Sequence, residues 1–407
     1  MIRPLTPDEL DAYLDLVQTA FTVTFTNDQY RDRSVKFKRE QVWGYYVESN
    51  LAAVLTVLPL QVYIEGRPFP MGGIAQVANY PEYRRQGMVG RLLEHALLVM
   101  KEAGQTVSLL NPFLSSFYRK YGWDYFSEMQ VCCMETAALP KLPEAGGRVR
   151  RVYTGEKADT DGLQAMLEVY DAYAKRYNGI LIRDESWVRH HLLKRTPGTI
   201  ALYESAYGNG PRGYMLYSFK DKWMQIHELV TLDEEAERGL WQFIRHHDST
   251  IHGVEFKAPA DSPLFFRFPD QTGERTVRTN FMFRIVDAER FLREYPWKAS
   301  GKAEQFVFHI SDRYAPWNEG IFQVQLSAEE KAHVIRIQPN APAGSTAGPD
   351  SDSESLHCDI QTLSTILIGC QSPTRMYELG RLQGRPETVD RLNEARSSRL
   401  PYIMDLF

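Results

Sequence analysis

The chain has 407 residues, 43% apolar and 12% aromatic, and its 47 basic and 52 acidic side chains leave a net charge of −5. That length predicts two or three domains, and the composition excludes disordered, collagen-like and coiled-coil architectures. With charges so nearly balanced, no global field directs the protein to nucleic acid or to an anionic membrane, so any basic site has to be local.

Thr6-Pro7-Asp8-Glu9 forms a capping box with proline at the first helical position, and Leu10, Tyr13, Leu14, Val17 and Phe21 continue it at helical spacing. Strand-like runs follow at Val42 to Val47, Leu51 to Leu58 and Leu60 to Ile64, parted by turn formers and read as an antiparallel meander. A fourth run, Gly73 to Ala78, leads through Tyr80-Pro81-Glu82 to a helix with Val89, Leu92, Leu93, Ala96, Leu97 and Met100 on one face and Gly104 at its end. A strand at Thr106 to Leu110 and the tyrosine-rich segment Phe117 to Phe126 complete a first unit, residues 1–137.

After a linker at Leu139 to Gly147, residues 150–286 repeat this grammar. The repeat has a helix bearing Leu163, Met166, Leu167 and Tyr170, strands at Thr199 to Tyr203, Gly213 to Phe219 and Trp223 to Val230, and a helix bearing Ala236, Leu240, Phe243 and Ile244. Its strand-to-helix joint, Thr231-Leu232-Asp233-Glu234-Glu235, is acidic and would repel an anion. A third unit, residues 287–407, has a helix, strands near Gln305 to Ile310, Gly320 to Gln325 and Ala332 to Ile337, a surface loop from Pro339 to Ser355, and short helices around Thr362 to Ile368 and Pro373 to Leu379. The tail Pro401 to Phe407 is apolar enough to demand burial.

The segment Val77-Ala78-Asn79-Tyr80-Pro81-Glu82-Tyr83-Arg84-Arg85-Gln86-Gly87-Met88-Val89-Gly90 delivers a basic, glycine-containing turn onto a helix N-terminus. Unpaired first-turn amides and the helix dipole suit such a turn to an anion such as pyrophosphate; taken alone it serves equally as a capped helix with two solvated arginines. Arg84-Arg85-Gln86-Gly87, between a strand and an amphipathic helix, resembles the acetyl-coenzyme A loop of the GNAT N-acetyltransferases. The chain departs from that pattern at Val89, where glycine or alanine is usual, and Gly90 comes one position late.

A unit with the loop, a second without it, and a third ending in an apolar tail together resemble the Eis family. The resemblance is carried further by Ser364 to Gly369, Ser372-Pro373 and Leu379-Gly380-Arg381-Leu382 in the third unit. It implies an α/β (α+β) fold of tandem GNAT units with mixed sheets and flanking helices, followed by a sterol-carrier-like α+β domain. It also implies a degenerate second domain and a homohexamer.

In that family's pattern Val77, Ala78 and Asn79 pair with the pantetheine arm and polarise the thioester carbonyl, and Arg85, Gln86, Gly87, Met88, Val89 and Gly90 hold the phosphates. Ser115, with Phe113, Leu114 and Ser116, is a further candidate for coenzyme contact. Tyr118 falls where the family places its catalytic tyrosine, a phenol able to protonate the leaving thiolate, and the terminal carboxylate of Phe407 is the base for the amine. The implied acceptors, aminoglycosides, other polyamines and lysine-like amines, are cationic and call for carboxylates, with Asp28 and Asp405 as candidates.

The remaining motifs carry less chemistry. Four cysteines, two adjacent at Cys132 and Cys133, give no disulfide framework, and His246-His247-Asp248 and His357-Cys358-Asp359 lack a matching second pair, so no metal is proposed. Glu185 to Arg195 reads as an amphipathic helix. The longest apolar run, Leu51 to Leu60, is too short to cross a bilayer, and Met1 to Leu14 lacks a secretory apolar stretch, which fits a reducing cytoplasm. The expectation is an acetyl-coenzyme A dependent N-acetyltransferase; the rival is a lipid- or small-molecule-binding protein with a vestigial transferase unit.

Overall fold

The Thr6 amide and hydroxyl both donate to the Glu9 carboxylate at 2.8 Å, and Arg3 clamps the same group, so the helix Leu10–Phe21 starts where its capping box predicts. The computed structural model describes residues 1–154, 159–208, 210–268, 273–298, 301–327, 332–337, 355–396 and 399–407. The loop expected at Pro339 to Ser355 lies outside the described residues as far as residue 354.

A first seven-stranded sheet runs in the order Ile2–Pro4, Val42–Val47, Asn50–Ile64, Arg67–Asn79, Val107–Leu110, Met282–Ile285, Asp124–Tyr125. The antiparallel meander has one strand fewer than expected, because Leu51 to Leu58 and Leu60 to Ile64 form one strand running through Pro59. Pairing to Val42–Val47 ends at Thr56, so Pro59 lies where one edge of the strand has lost that partner and proline's missing N–H is tolerated. Helix Met88–Glu102 crosses between the parallel strands Arg67–Asn79 and Val107–Leu110, burying Leu92, Leu93, Ala96, Leu97 and Met100 completely.

The second sheet is also seven-stranded and includes a parallel pair, Trp223–Thr231 beside Gly253–Pro259, with helix Glu234–Arg245 between them in sequence. The two sheets do not divide where the sequence grammar does. Glu128–Glu135, inside the expected first unit, is the second strand of the second sheet; Met282–Ile285, inside the expected second unit, fills the first sheet between Val107–Leu110 and Asp124–Tyr125. The third unit has a four-stranded sheet, and its core is continuous with the first: Val62, Phe69 and Met71 pack in one cluster with Phe283, Phe306 and Phe308.

Candidate active site

Strands Arg67–Asn79 and Val107–Leu110 pair only from Met71↔Val107 to Ile74↔Leu110. Just beyond, Gln76 and Val77 together oppose the single residue Leu55, and Gln76 takes the left-handed region at φ +50°. This bulge bends the strand away from its parallel neighbour, so Ala75, Ala78 and Asn79 keep their pairing to Asn50–Ile64 while residues 75–79 present an unpaired edge on the other side. An extended amide-bearing chain can pair with such an edge as an added strand. Val77 faces the opening, whereas the Ala78 side chain is buried beneath helix Leu10–Phe21. Sequence reasoning missed the bulge, since Ala75-Gln76-Val77 contains no residue that favours positive φ.

The basic turn follows directly. Arg84 to Gly87 are exposed, with Arg85 at φ +62° and Gly87, the N-cap of Met88–Glu102, at φ +78°. The helix ladder begins with the Arg91 amide donating to the Gly87 carbonyl at 3.1 Å, which leaves the Met88, Val89 and Gly90 amides without an intrahelical acceptor. A Cβ on Gly87 would meet nothing within 4 Å, so glycine serves the backbone angle there. Gly90 is different: it is buried, and a Cβ would collide with the Tyr121 hydroxyl. Its missing side chain therefore serves packing, and only its amide is available to a ligand.

The corresponding joint of the second sheet is already filled. Asp233 caps helix Glu234–Arg245 by accepting from the Ala236 amide at 2.9 Å, and it also accepts from Arg212 Nε at 2.7 Å. With a carboxylate occupying the place and three glutamates in the first turn, no anion cradle remains.

Tyr118 lies on the short helix Ser115–Arg119, 3% exposed, edge-on to Phe117 and Phe113 with ring centroids at 5.2 and 5.6 Å. Burial pushes its phenol well above the ordinary tyrosine range, which keeps it protonated. Ser115 is exposed at the start of the same helix and does not face the cavity described next.

A cavity of about 790 Å³ opens beside the bulge, and Val77, Tyr118 and Phe407 all line it. The tail reaches it under restraint. Pro401 and Tyr402 pair with Asn178, whose amide and carbonyl bond Leu400 and Tyr402 at 2.9 Å. Asp405, 4% exposed, accepts from Arg183 Nε at 2.9 Å and Trp187 Nε1 at 2.8 Å. The Phe407 ring packs on Phe281 at 5.1 Å and against the bare Cα of Gly73, where a Cβ would come within 2.8 Å of Cε2. Arg195 donates to the Leu406 carbonyl at 2.9 Å.

Neither candidate carboxylate for a cationic acceptor reaches this space. Asp405 is consumed by its internal partners, and Asp28 is exposed in the first turn of helix Asn27–Lys36, away from the cavity. The one acidic side chain on the described wall is Asp32, paired with Lys194. Lys194 and Arg195 end the segment Glu185 to Arg195, which is helical but runs through a wide π turn at Val188–Leu192. Its side chains were not expected at the site: nothing local signals that a second-domain segment faces the first domain.

Comparison with known proteins agrees with this architecture. Residues 1–126 and 179–285 each match a family described as acetyltransferase (GNAT) domain, and residues 288–404 match sterol carrier protein domain. An uncharacterized N-acetyltransferase of Streptomyces avermitilis is 24% identical, covering 100% of this chain and 98% of its own. Among solved structures, a probable N-acyltransferase from Enterococcus faecalis superposes with a TM-score of 0.89 at 26% identity, covering 100% of this chain and 99% of its own. Eis1 from Mycobacterium abscessus shares the fold with a TM-score of 0.79 at 18% identity, covering 100% of both chains.

Proposed function

We propose that this chain, an acyltransferase of two GNAT domains and a sterol-carrier domain, is an Eis-type N-acetyltransferase that uses acetyl-coenzyme A and a primary amine. The observation that carries the reading is the parting of two parallel strands at the Gln76–Val77 bulge, beside a helix N-terminus with free amides and above a cavity shared by Tyr118 and Phe407. The unpaired edge at residues 75–79 would hold the pantetheine arm, and the amides of Met88, Val89 and Gly90 with the Arg85 side chain would hold the pyrophosphate.

When bound, acetyl-coenzyme A supplies the acyl carbon: its C–S bond breaks as the C–N bond to the amine forms, and the proton the amine loses balances the one the thiolate gains. Tyr118 enters as the donor. Its raised pKa makes full transfer to a thiolate uphill, so it acts first as a hydrogen-bond donor that stabilises the departing sulfur. The Phe407 carboxylate receives the amine proton, directly or through a water, and the Arg183–Asp405 tether fixes where that carboxylate sits. Only the first domain binds coenzyme, because Asp233 occupies the second cradle.

The lipid-carrier alternative draws less support, since Trp297 stacks on Phe306 and Phe308 at 6.0 and 6.5 Å and these rings fill the third domain's interior. The same reading gives a cytoplasmic homohexamer, whose subunit number light scattering tests. The test of function is coenzyme titration by calorimetry together with thiol release in the presence of amines. One coenzyme per chain and amine-dependent thiol release are expected; a protein that binds no coenzyme is not this enzyme.

A further inference from the structure

The cavity's charge does not suit the acceptors that the family resemblance implies. Its described wall carries four cationic side chains, Arg33, Lys38, Lys194 and Arg195, against two anionic groups, the Asp32 side chain and the Phe407 terminal carboxylate. Lys194 is engaged by Asp32, and Arg195 by the Leu406 carbonyl. Arg33 lies 4.1 Å over the Phe25 ring, with no carboxylate among the described residues in ion-pair contact. Burial, and then the neighbouring Arg33 charge, lower the Arg195 guanidinium, which places two like charges at one opening. Arranging like charges around a shared space costs free energy that an anion between them recovers. A polycation would meet the reverse: net repulsion, with Asp32 held by Lys194 and the Phe407 carboxylate assigned to the reacting amine's proton.

That anion is separate from the coenzyme's pyrophosphate, because no residue from Arg84 to Gly90 lines the cavity. The cations come from helix Asn27–Lys36, the loop after it and the end of the 185–195 segment, whereas Val77 and Tyr118 mark the chemical end. Phe21, Phe25 and Phe37 lie on the same wall and give the cavity an apolar, aromatic character. A volume of about 790 Å³ accommodates one small molecule beside the acyl group.

We propose that the acceptor is an amine that also carries an anionic group, a carboxylate or a phosphate, on an apolar body, with the anion held by Arg33 and Arg195 and the amine directed to Tyr118. This rests on the acetyltransferase reading and narrows its substrate class. The anionic group takes no part in the bond changes; it orients the amine.

A matched series tests it: phenethylamine, 4-(2-aminoethyl)benzoate and tyramine phosphate, with spermidine and kanamycin as polycations, each assayed by thiol release at low ionic strength. One or both anionic amines should exceed phenethylamine in kcat/KM by about tenfold or more, the worth of one charge-assisted hydrogen bond, and the better of the two identifies carboxylate or phosphate. Arg33→Gln should erase that ratio and Arg33→Lys should restore part of it. Preference for the polycations, a ratio indifferent to Arg33→Gln, or an Arg33→Gln variant whose main loss is coenzyme affinity would each overturn the proposal. Calorimetry with 4-(2-aminoethyl)benzoate in the absence of coenzyme separates the two readings. Binding that Arg33→Gln abolishes, in a protein that acetylates no amine, sinks the transferase and leaves the anion site standing; no binding sinks the anion site.

Discussion

Arg183 and Asp405, 222 positions apart in sequence, meet as a fully enclosed ion pair at 2.9 Å, and the other edge of the same guanidinium holds Glu228 at 2.6 Å. Burial alone would lower the Arg183 pKa, but the two carboxylates more than offset it and hold the side chain charged. Asp405→Asn should therefore cost about 3–5 kcal/mol, the usual result of leaving a buried charge short of a partner. Thermal melts read the loss directly. At a temperature where the variant is still folded, amine transfer should fall while coenzyme affinity holds, since the tail is remote from the basic turn; a variant with unchanged melting temperature would show that Asp405 does not tether the tail.

Gly87→Asp or Arg85→Glu should abolish coenzyme binding, because each puts a negative charge at the free amides of Met88–Glu102. Gly90→Ala makes the contrast. It meets the Tyr121 hydroxyl, so it should lower the melting temperature first and touch affinity only through that strain. Charge reversal at Glu234 should leave stoichiometry at one coenzyme per chain. Calorimetry on folded Gly87→Asp that reports normal affinity removes the turn from the binding site.

Tyr118→Phe should preserve the fold and coenzyme affinity and lower kcat by about 10² to 10⁴. The sign of the pH effect follows from the raised pKa: the neutral, donating phenol persists above the ordinary tyrosine range, so ionisation of Tyr118 should not cut the rate on the alkaline side below about pH 10. If wild-type kcat does fall below that pH and the fall vanishes in Tyr118→Phe, the burial argument is wrong.

Adding one glycine after Phe407 shifts the terminal carboxylate by up to about 3.6 Å while leaving the ring on Phe281 and Gly73. A displacement of that size can cost about 10²-fold in rate. Transfer should collapse with melting temperature and coenzyme affinity nearly intact. Full activity in the extended chain excludes the carboxylate as base.

How much of this was legible in the sequence depends on the range of the interaction concerned. The Thr6–Glu9 box, the apolar face of Met88–Glu102 and the helix N-terminus after Arg84-Arg85-Gln86-Gly87 are local patterns, and each element lies where the spacing puts it. Pairing partners are not local. Glu128–Glu135 and Met282–Ile285 look like ordinary strands, and nothing in their residues says which sheet they join. The acceptor side of the cavity was illegible for the same reason, since Asp32, Arg33, Lys194 and Arg195 come from two distant segments that only the fold brings together. Asp405, a candidate for the acceptor by its nearness to the end of the chain, is instead claimed by Arg183, a partner more than two hundred positions away.

The crossing of those two strands governs how the protein can be made. Val107–Leu110 has Met282–Ile285 as its neighbour on one side, so the first sheet stays unfinished until residue 285 has left the ribosome, long after its own helices and hairpin have emerged. A fragment ending at residue 126 would carry the whole basic turn yet expose the bare edge of Val107–Leu110, with Val107 and Leu109 that are fully buried in the intact chain. Such a fragment should self-associate, and supplying residues 275–290 as a separate peptide should restore its solubility. The two acetyltransferase domains thus lend each other one strand, and shuffling either one alone into another protein should carry one of the seven strands of its partner's sheet away with it.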